Sequence, residues 1–152
     1  MLKKNRGIEA SIVRKSYAKV SKVSDFEEIT DDFVKITIHD PLLKCFETRE
    51  KLSSFFESAY IVASEAGWID IANANVHKGT TVEHLQLLLN VTPEETMAFG
   101  DGYNDIELMG RSSYSFAVRN AVEELKNAAN FITRSNEEDA VMKTIIQILS
   151  LS

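Results

Sequence analysis

One cysteine stands in the chain, at position 45, so no disulfide can form within it. Leu42, Leu43 and Phe46 surround it, which fits a small apolar helix residue better than a nucleophile. With only two prolines and six glycines the chain has no low-complexity linker, and no internal repeat is visible. No charged-then-apolar leader opens it and no apolar run approaches the roughly 18 residues of a membrane span, so the expectation is a cytoplasmic protein with no membrane partner. Positive charge is in deficit. Seventeen Lys and Arg face 23 Asp and Glu, a formal net charge of −6, which argues against holding a nucleic acid, because phosphate backbones are bound mainly by clustered Lys and Arg. A small phosphate-bearing molecule stays compatible, since a metal ion and one placed lysine neutralise it locally. Hydrophobic residues make up 44% of the 152, enough for one ordinary domain, or a domain with a smaller appendage, without a covalent staple.

The pattern changes character near residue 70. Residues 1 to 24 are basic and loosely patterned, with a short helix at most. From Phe33, "FVKITI" alternates with period two as a half-solvated strand, stopped by His39-Asp40-Pro41. Pro41 suits the first turn of a following helix, whose apolar face is carried by Leu42, Cys45, Phe46, Leu52, Phe55, Phe56 and Tyr60. "IVASE" and "WIDIAN" read as two strands around a tight Ala66-Gly67 turn. Beyond residue 70, helices and strands alternate: "TTVEHLQLLLN", "TMAFGD", "DIELMGR", "YSFAV", "AVEELKNAA", "NFITR" and "EEDAVMKTIIQILS". Alternation of this kind implies parallel pairing with crossovers, hence an α/β layer after a small α+β unit. Thr92-Pro93-Glu94-Glu95 carries the signature of a helix start, and Ser135 with Glu138, or Asn136 with Asp139, does the same for the last helix.

The densest chemistry lies in "MAFGDGYNDIELM", residues 97 to 109. Ligands of open parallel sheets sit outside the carboxyl ends of the strands, and this strand delivers Gly100-Asp101 to that edge. Gly100 and Gly102 permit a sharp turn, and Asn104 and Asp105 fall in the next helical turn, so Asp101 and Asp105 can converge. Oxygen ligands without Cys or His suit a hard cation, and Mg²⁺ is the natural choice. The local alternative is that Asp101 is a turn residue and Asp105 a helix cap. Lys78, in "HKGTTVEHL", stands 23 positions before Asp101 at a helix start. If the two helices flank adjacent strands, it shares the sheet edge and can hold a phosphate oxygen. The alternative for Lys78 is a solvated lysine before a cap. His77 and His84 carry no assignable role.

"HKGTTVEHLQLLL", "MAFGDGYNDIELM" and "FAVRNAVEELKNAANFITRSNEEDAV", in this order, resemble the C-terminal half of the haloacid dehalogenase superfamily, most closely its Cof-type sugar-phosphatase branch. The resemblance covers residues 68 to 150, and residues 25 to 70 are similar to the last part of the family's α/β cap. It implies an α/β fold: a partial Rossmann-like three-layer parallel core over residues 71–152 and a partial α+β cap over residues 1–70. It implies a Mg²⁺-dependent phosphatase acting on a small phosphorylated metabolite. Carried over residue by residue, Lys78 would bind the phosphoryl group, Asp101 and Asp105 would serve the metal, and Asn104 would touch phosphate or orient the metal's ligands. Asn120 would position phosphate or substrate, with a plain helix cap as the alternative.

The family's nucleophile sits in an N-terminal strand ending in D-x-D-G-T, and no D-x-D occurs in these 152 residues. Aspartyl-phosphate chemistry needs that carboxylate in line with phosphorus. The resemblance therefore implies a chain inactive alone: a truncated piece or one half of a split phosphatase, or else a non-catalytic interaction module. Half a sheet would leave a strand edge and an apolar face uncovered, so self-association or pairing with the missing N-terminal half is expected.

Overall fold

The computed structural model describes residues 15, 17–21 and 23–149. The short helix expected within residues 1–24 falls largely outside them. Two compact units divide the chain, Met1–Val34 and Lys35–Ser152. In the first, a turn of 3-10 helix at Phe26–Glu28 is capped at both ends of one box: Asp25 Oδ1 accepts from Glu27 N at 3.1 Å and Glu28 Oε1 accepts from Asp25 N at 3.2 Å.

The second unit begins with an antiparallel sheet. Its strands are β1 (Ile36–His39), β2 (Ala59–Glu65) and β3 (Trp68–Asn73), in the order β1-β3-β2. Helix α1 (Cys45–Phe55) covers one face. Period-two alternation sets what it covers: Ile38, Ile69 and Ala63 share a face across the three strands, as do Ile71 and Ile61, and they enclose Cys45 and Leu52. Cys45 is fully buried, and burial pushes its thiol up, away from the reactive thiolate. Three expectations shift here. The first strand starts at Ile36 and leaves Phe33 and Val34 exposed. Pro41 stands in a turn before the helix, because Asp40 accepts from the amides of Leu42 and Lys44 at 2.9 and 3.3 Å and Leu43 adopts a left-handed φ of 57°. Tyr60 belongs to β2, not to the helix face.

Beyond β3 the chain is α/β. It runs through α2 (Lys78–Leu89), β4 (Met97–Gly100), α3 (Ile106–Met109), β5 (Tyr114–Ala117), α4 (Glu123–Ala128), β6 (Phe131–Ile132) and α5 (Ala140–Leu149). The three strands form a parallel sheet in the order β4-β5-β6. Ala98 and Ala117 carry its packed face against Met109, Leu125 and Ala140, while Phe99, Phe116 and Phe131 stack across the opposite face with centroids 5.1 Å apart. The Thr92-Pro93-Glu94-Glu95 signature builds a single 3-10 turn, Pro93–Glu95, rather than a helix. Glu95 Oε2 accepts from Thr92 N at 2.9 Å, and β4 follows at once. Ser135 and Glu138 form the reciprocal cap expected of them, on the 3-10 turn Asn136–Glu138, and a left-handed Asp139 separates that turn from α5.

Helix α2 is anchored near both ends, to the segments that flank β4 and α3. Near its C-terminus, buried Gln86 donates to Thr96 Oγ1 and Arg111 O at 2.9 and 2.7 Å, just ahead of β4. At its N-terminus, Gly79 packs so closely on α3 that an added Cβ would lie 2.5 Å from Glu107 O. A methyl group there forces backbone apart, costing about 1–3 kcal/mol, against a helix-propensity gain of at most ~1 kcal/mol. Gly79→Ala is therefore expected to lower the free energy of unfolding by about 1–2 kcal/mol. Gly110→Ala, whose Cβ would find no atom nearer than 3.9 Å, is expected to stay within about 0.5 kcal/mol of the parent, both variants being compared by urea titration.

Candidate functional site

The turn after β4 places two carboxylates and one ammonium together. Asp105, in the 3-10 turn Tyr103–Asp105, folds back on the strand end: its Oδ2 accepts from the amides of Asp101 and Gly102 at 3.0 and 3.3 Å. Its Oδ1 pairs with Lys78 Nζ, the first residue of α2. Asp105 is 5% exposed and Lys78 50%, so the acid is sealed beneath a lysine that keeps one side open to solvent. Gly100 makes the fold-back feasible. A Cβ at that position would lie 2.6 Å from the Cβ of Asp105. Asp101 presents an exposed carboxylate with no hydrogen bond or ion pair among the described residues, while its carbonyl accepts from Val122 N at 3.0 Å.

His77 fixes the start of α2. Its Nδ1 accepts from Thr80 N at 3.4 Å, and Thr80 Oγ1 accepts from His77 N at 3.2 Å, so the imidazole acts as a helix cap. That role was not legible in the sequence, because histidine is an uncommon cap. Tyr60 was missed for another reason, its assignment to a helix face. From β2 it donates to Glu107 Oε1 at 3.2 Å and lies against the His77 ring, with centroids 5.2 Å apart. Burial, then the charge of Glu107, then the hydrogen bond to it, raise the phenol above its ordinary range.

The sequence profile of the haloacid dehalogenase-like hydrolases matches residues 2–145. The chain belongs to that family. Its Cof-type branch is the one indicated by the relatives. A 5-amino-6-(5-phospho-D-ribitylamino)uracil phosphatase of Escherichia coli is 28% identical over 97% of this chain and 55% of its own. A crystal structure from Streptococcus mutans superposes with a TM-score of 0.78 at 32% identity, covering 84% of this chain and 49% of that one. A haloacid dehalogenase-like hydrolase of Bacteroides thetaiotaomicron does so at 0.69 and 28%, covering 84% and 49%. The chain thus spans about half the length of the relatives it matches.

Among the residues singled out in this haloacid dehalogenase-like chain, Lys78, Asp101 and Asp105 meet at one rim, and Asn104 stands in the same turn. The Asn104 side chain has no hydrogen-bond partner among the described residues, and its Oδ1 would lie 3.2 Å from a Cβ on Gly102. Asn120 lies past the carboxyl end of the neighbouring strand β5, on the same sheet edge, but its partners are in the loop after β6. Its Nδ2 donates to Asn136 Oδ1 at 2.8 Å, and its Oδ1 accepts from Ser135 Oγ and Asn136 N, both at 3.1 Å. Those contacts brace the loop after β6 and reach none of the other four residues.

The donors fit a hard divalent ion in kind, being carboxylates only. Among the described residues no group of three or more His, Cys, Asp or Glu is assembled to hold a metal. An ion that takes one or two protein carboxylates and fills its remaining positions with water and phosphate needs no such group. Asp101 is the free donor of the pair. Asp105 already has one oxygen on Lys78 and the other on two amides.

The raised phenol of Tyr60 has a pH signature. Its neutral form is favoured in the fold, so its contribution to stability is whole below the unfolded tyrosine pKa of about 10 and is lost as pH rises from there toward the higher folded value. Urea midpoints are expected to fall above pH ~10 in the parent and to fall less steeply in Tyr60→Phe.

Proposed function

We propose that this chain carries part of the active site of a Mg²⁺-dependent phosphatase acting on a small phosphorylated metabolite, a sugar phosphate or similar. The observation that supports this most directly is the meeting of Lys78 with Asp105 beside the free carboxylate of Asp101, at the carboxyl end of β4. Lys78 would hold a phosphoryl oxygen on its exposed side. Asp101 would ligate Mg²⁺, with Asp105 supporting it, and the bound ion would supply positive charge to the phosphoryl oxygens. Asn104 would donate to phosphate or orient the ion's ligands. Asn120 would act at a distance, by holding the loop after β6 at the shared edge. Residues 1–70 would form part of a cap and residues 71–152 part of the core, except that β3, which spans that boundary, pairs along its length with β1 and β2 and so goes with the cap. The name of the Escherichia coli relative makes a ribityl phosphate bearing a pyrimidine one member of the substrate class to try.

Attack on phosphorus needs a carboxylate pair that these residues lack, since no D-x-D occurs among them. The 152 residues by themselves are therefore proposed to bind phosphate without turning it over. Calorimetric titration with inorganic phosphate is expected to show affinity raised by Mg²⁺. Asp101→Asn is expected to erase that enhancement, and Lys78→Ala to weaken binding with or without the ion, by roughly tenfold. Mg²⁺-dependent hydrolysis of p-nitrophenyl phosphate that vanishes in Asp101→Ala would contradict the account of the missing nucleophile.

A second reading, an interaction module that pairs with a separate N-terminal half or with itself, is favoured by one feature. Among the described residues, strand β4 is a sheet edge free of charge and proline, and α2 exposes Leu87, Leu88 and Leu89 at 76%, 82% and 66%. Sedimentation velocity is expected to show concentration-dependent association of the chain, reduced in Leu88→Lys. A strictly monomeric profile at high concentration would count against it.

A further inference from the structure

We infer, resting on the phosphatase reading, that Tyr60 is a positioning residue for Lys78. From the antiparallel sheet it braces the first turn of α2, and through that turn it aims the ammonium at a phosphoryl oxygen.

Three consecutive residues form the start of α2, and each is held from a different direction. His77 caps the helix, Lys78 pairs with Asp105, and Gly79 lies against the backbone of Glu107. Tyr60 reaches both sides of Lys78. Its ring centroid lies 5.2 Å from that of His77, and its hydroxyl donates to Glu107 Oε1 at 3.2 Å. The contacts close a circuit: Tyr60 to His77, along the chain to Gly79, across to Glu107 and back to Tyr60. Among the described residues Tyr60 makes no hydrogen bond to Lys78, Asp101 or Asp105, so it acts on the rim through its neighbours.

The place of Tyr60 in β2 explains why it can do this. It pairs with Ala72, one residue before the end of β3, where the chain leaves the sheet for α2. The connector is short and fixed in shape: Asn75 takes a left-handed φ of 64°, and its carbonyl accepts from Thr80 Oγ1 at 2.7 Å. Glu107 depends on the same hydroxyl. Its Oε2 is shut from solvent with no partner among the described residues, which leaves Tyr60 as the one side-chain donor it has there. A shielded acceptor stripped of its donor is costly, and the relief open to it is movement. Glu107 follows Asp105 by two residues, on the short helix that Gly79 touches, so its movement displaces both partners of the Lys78–Asp105 pair.

A double-mutant cycle in phosphate binding separates positioning from general support of the fold. Inorganic phosphate is titrated calorimetrically, with and without Mg²⁺, into the parent, Tyr60→Phe, Lys78→Ala and the double variant. Tyr60→Phe keeps the ring on His77 and removes only the hydroxyl; it is expected to weaken binding by on the order of threefold to tenfold, with or without the ion. In the Lys78→Ala background the same substitution is expected to change affinity by less than about 1.5-fold, because no ammonium remains to be aimed. Tyr114→Phe, at the end of β5 away from the rim, is expected to match the parent. An affinity unmoved by Tyr60→Phe, an equal loss in both backgrounds, or the same loss in Tyr114→Phe would overturn the inference and leave the phosphate site standing. A parent chain that binds no inorganic phosphate would overturn the phosphatase reading and the role of Tyr60 with it.

Discussion

The carboxylate of Asp105 is the constraint on which the rest of the rim depends. It is nearly sealed from solvent, and a buried charge is tolerated only when its oxygens are met by donors. Two chain segments meet them, Lys78 from α2 on one oxygen and the amides of Asp101 and Gly102 on the other. The same contacts shape the turn. With both amides drawn toward Asp105, the loop curls beside Gly100, where any side chain would collide, and Asp101 is left pointing outward with its carboxylate free. A single buried acid thus orients both the ammonium and the exposed acid.

The fold supplies what that acid needs. Parallel pairing puts the carboxyl ends of β4 and β5 side by side, and Val118 N bonds back to Gly100 O at 3.1 Å, stitching the next loop to the same edge. Gly79 lets α2 approach α3 at backbone distance, which brings Lys78 within reach of the turn that α3 follows. Gln86 locks the other end of α2. The helix is held near both ends, so the backbone position of Lys78 is set by packing.

How much of this was legible in the sequence follows from what each signal depends on. The parallel α/β half was readable because its strands are short apolar runs between clear helical periods, and the rim because glycines and acids in a turn after such a strand have few uses. Local chemistry misled where a signal suits two lengths of structure: Thr92-Pro93-Glu94-Glu95 starts a helix or closes one 3-10 turn with the same hydrogen bonds, and only the strand that follows decides. The contacts of Asn120 were not readable at all, because its partners, Ser135 and Asn136, come from another loop and leave no trace in local sequence. The Tyr60–Glu107 bond spans 47 positions and depends on how the antiparallel sheet meets the core, which no periodicity encodes.

The central claim is that Lys78 and Asp105 act as one unit at this rim. A double-mutant cycle measures that directly, with Lys78→Met, Asp105→Asn and the pair compared in urea unfolding at low ionic strength. The account predicts a coupling energy of about 1 kcal/mol or more, because either single change strands the other charge. Strictly additive effects, with no coupling beyond about 0.3 kcal/mol, would contradict it.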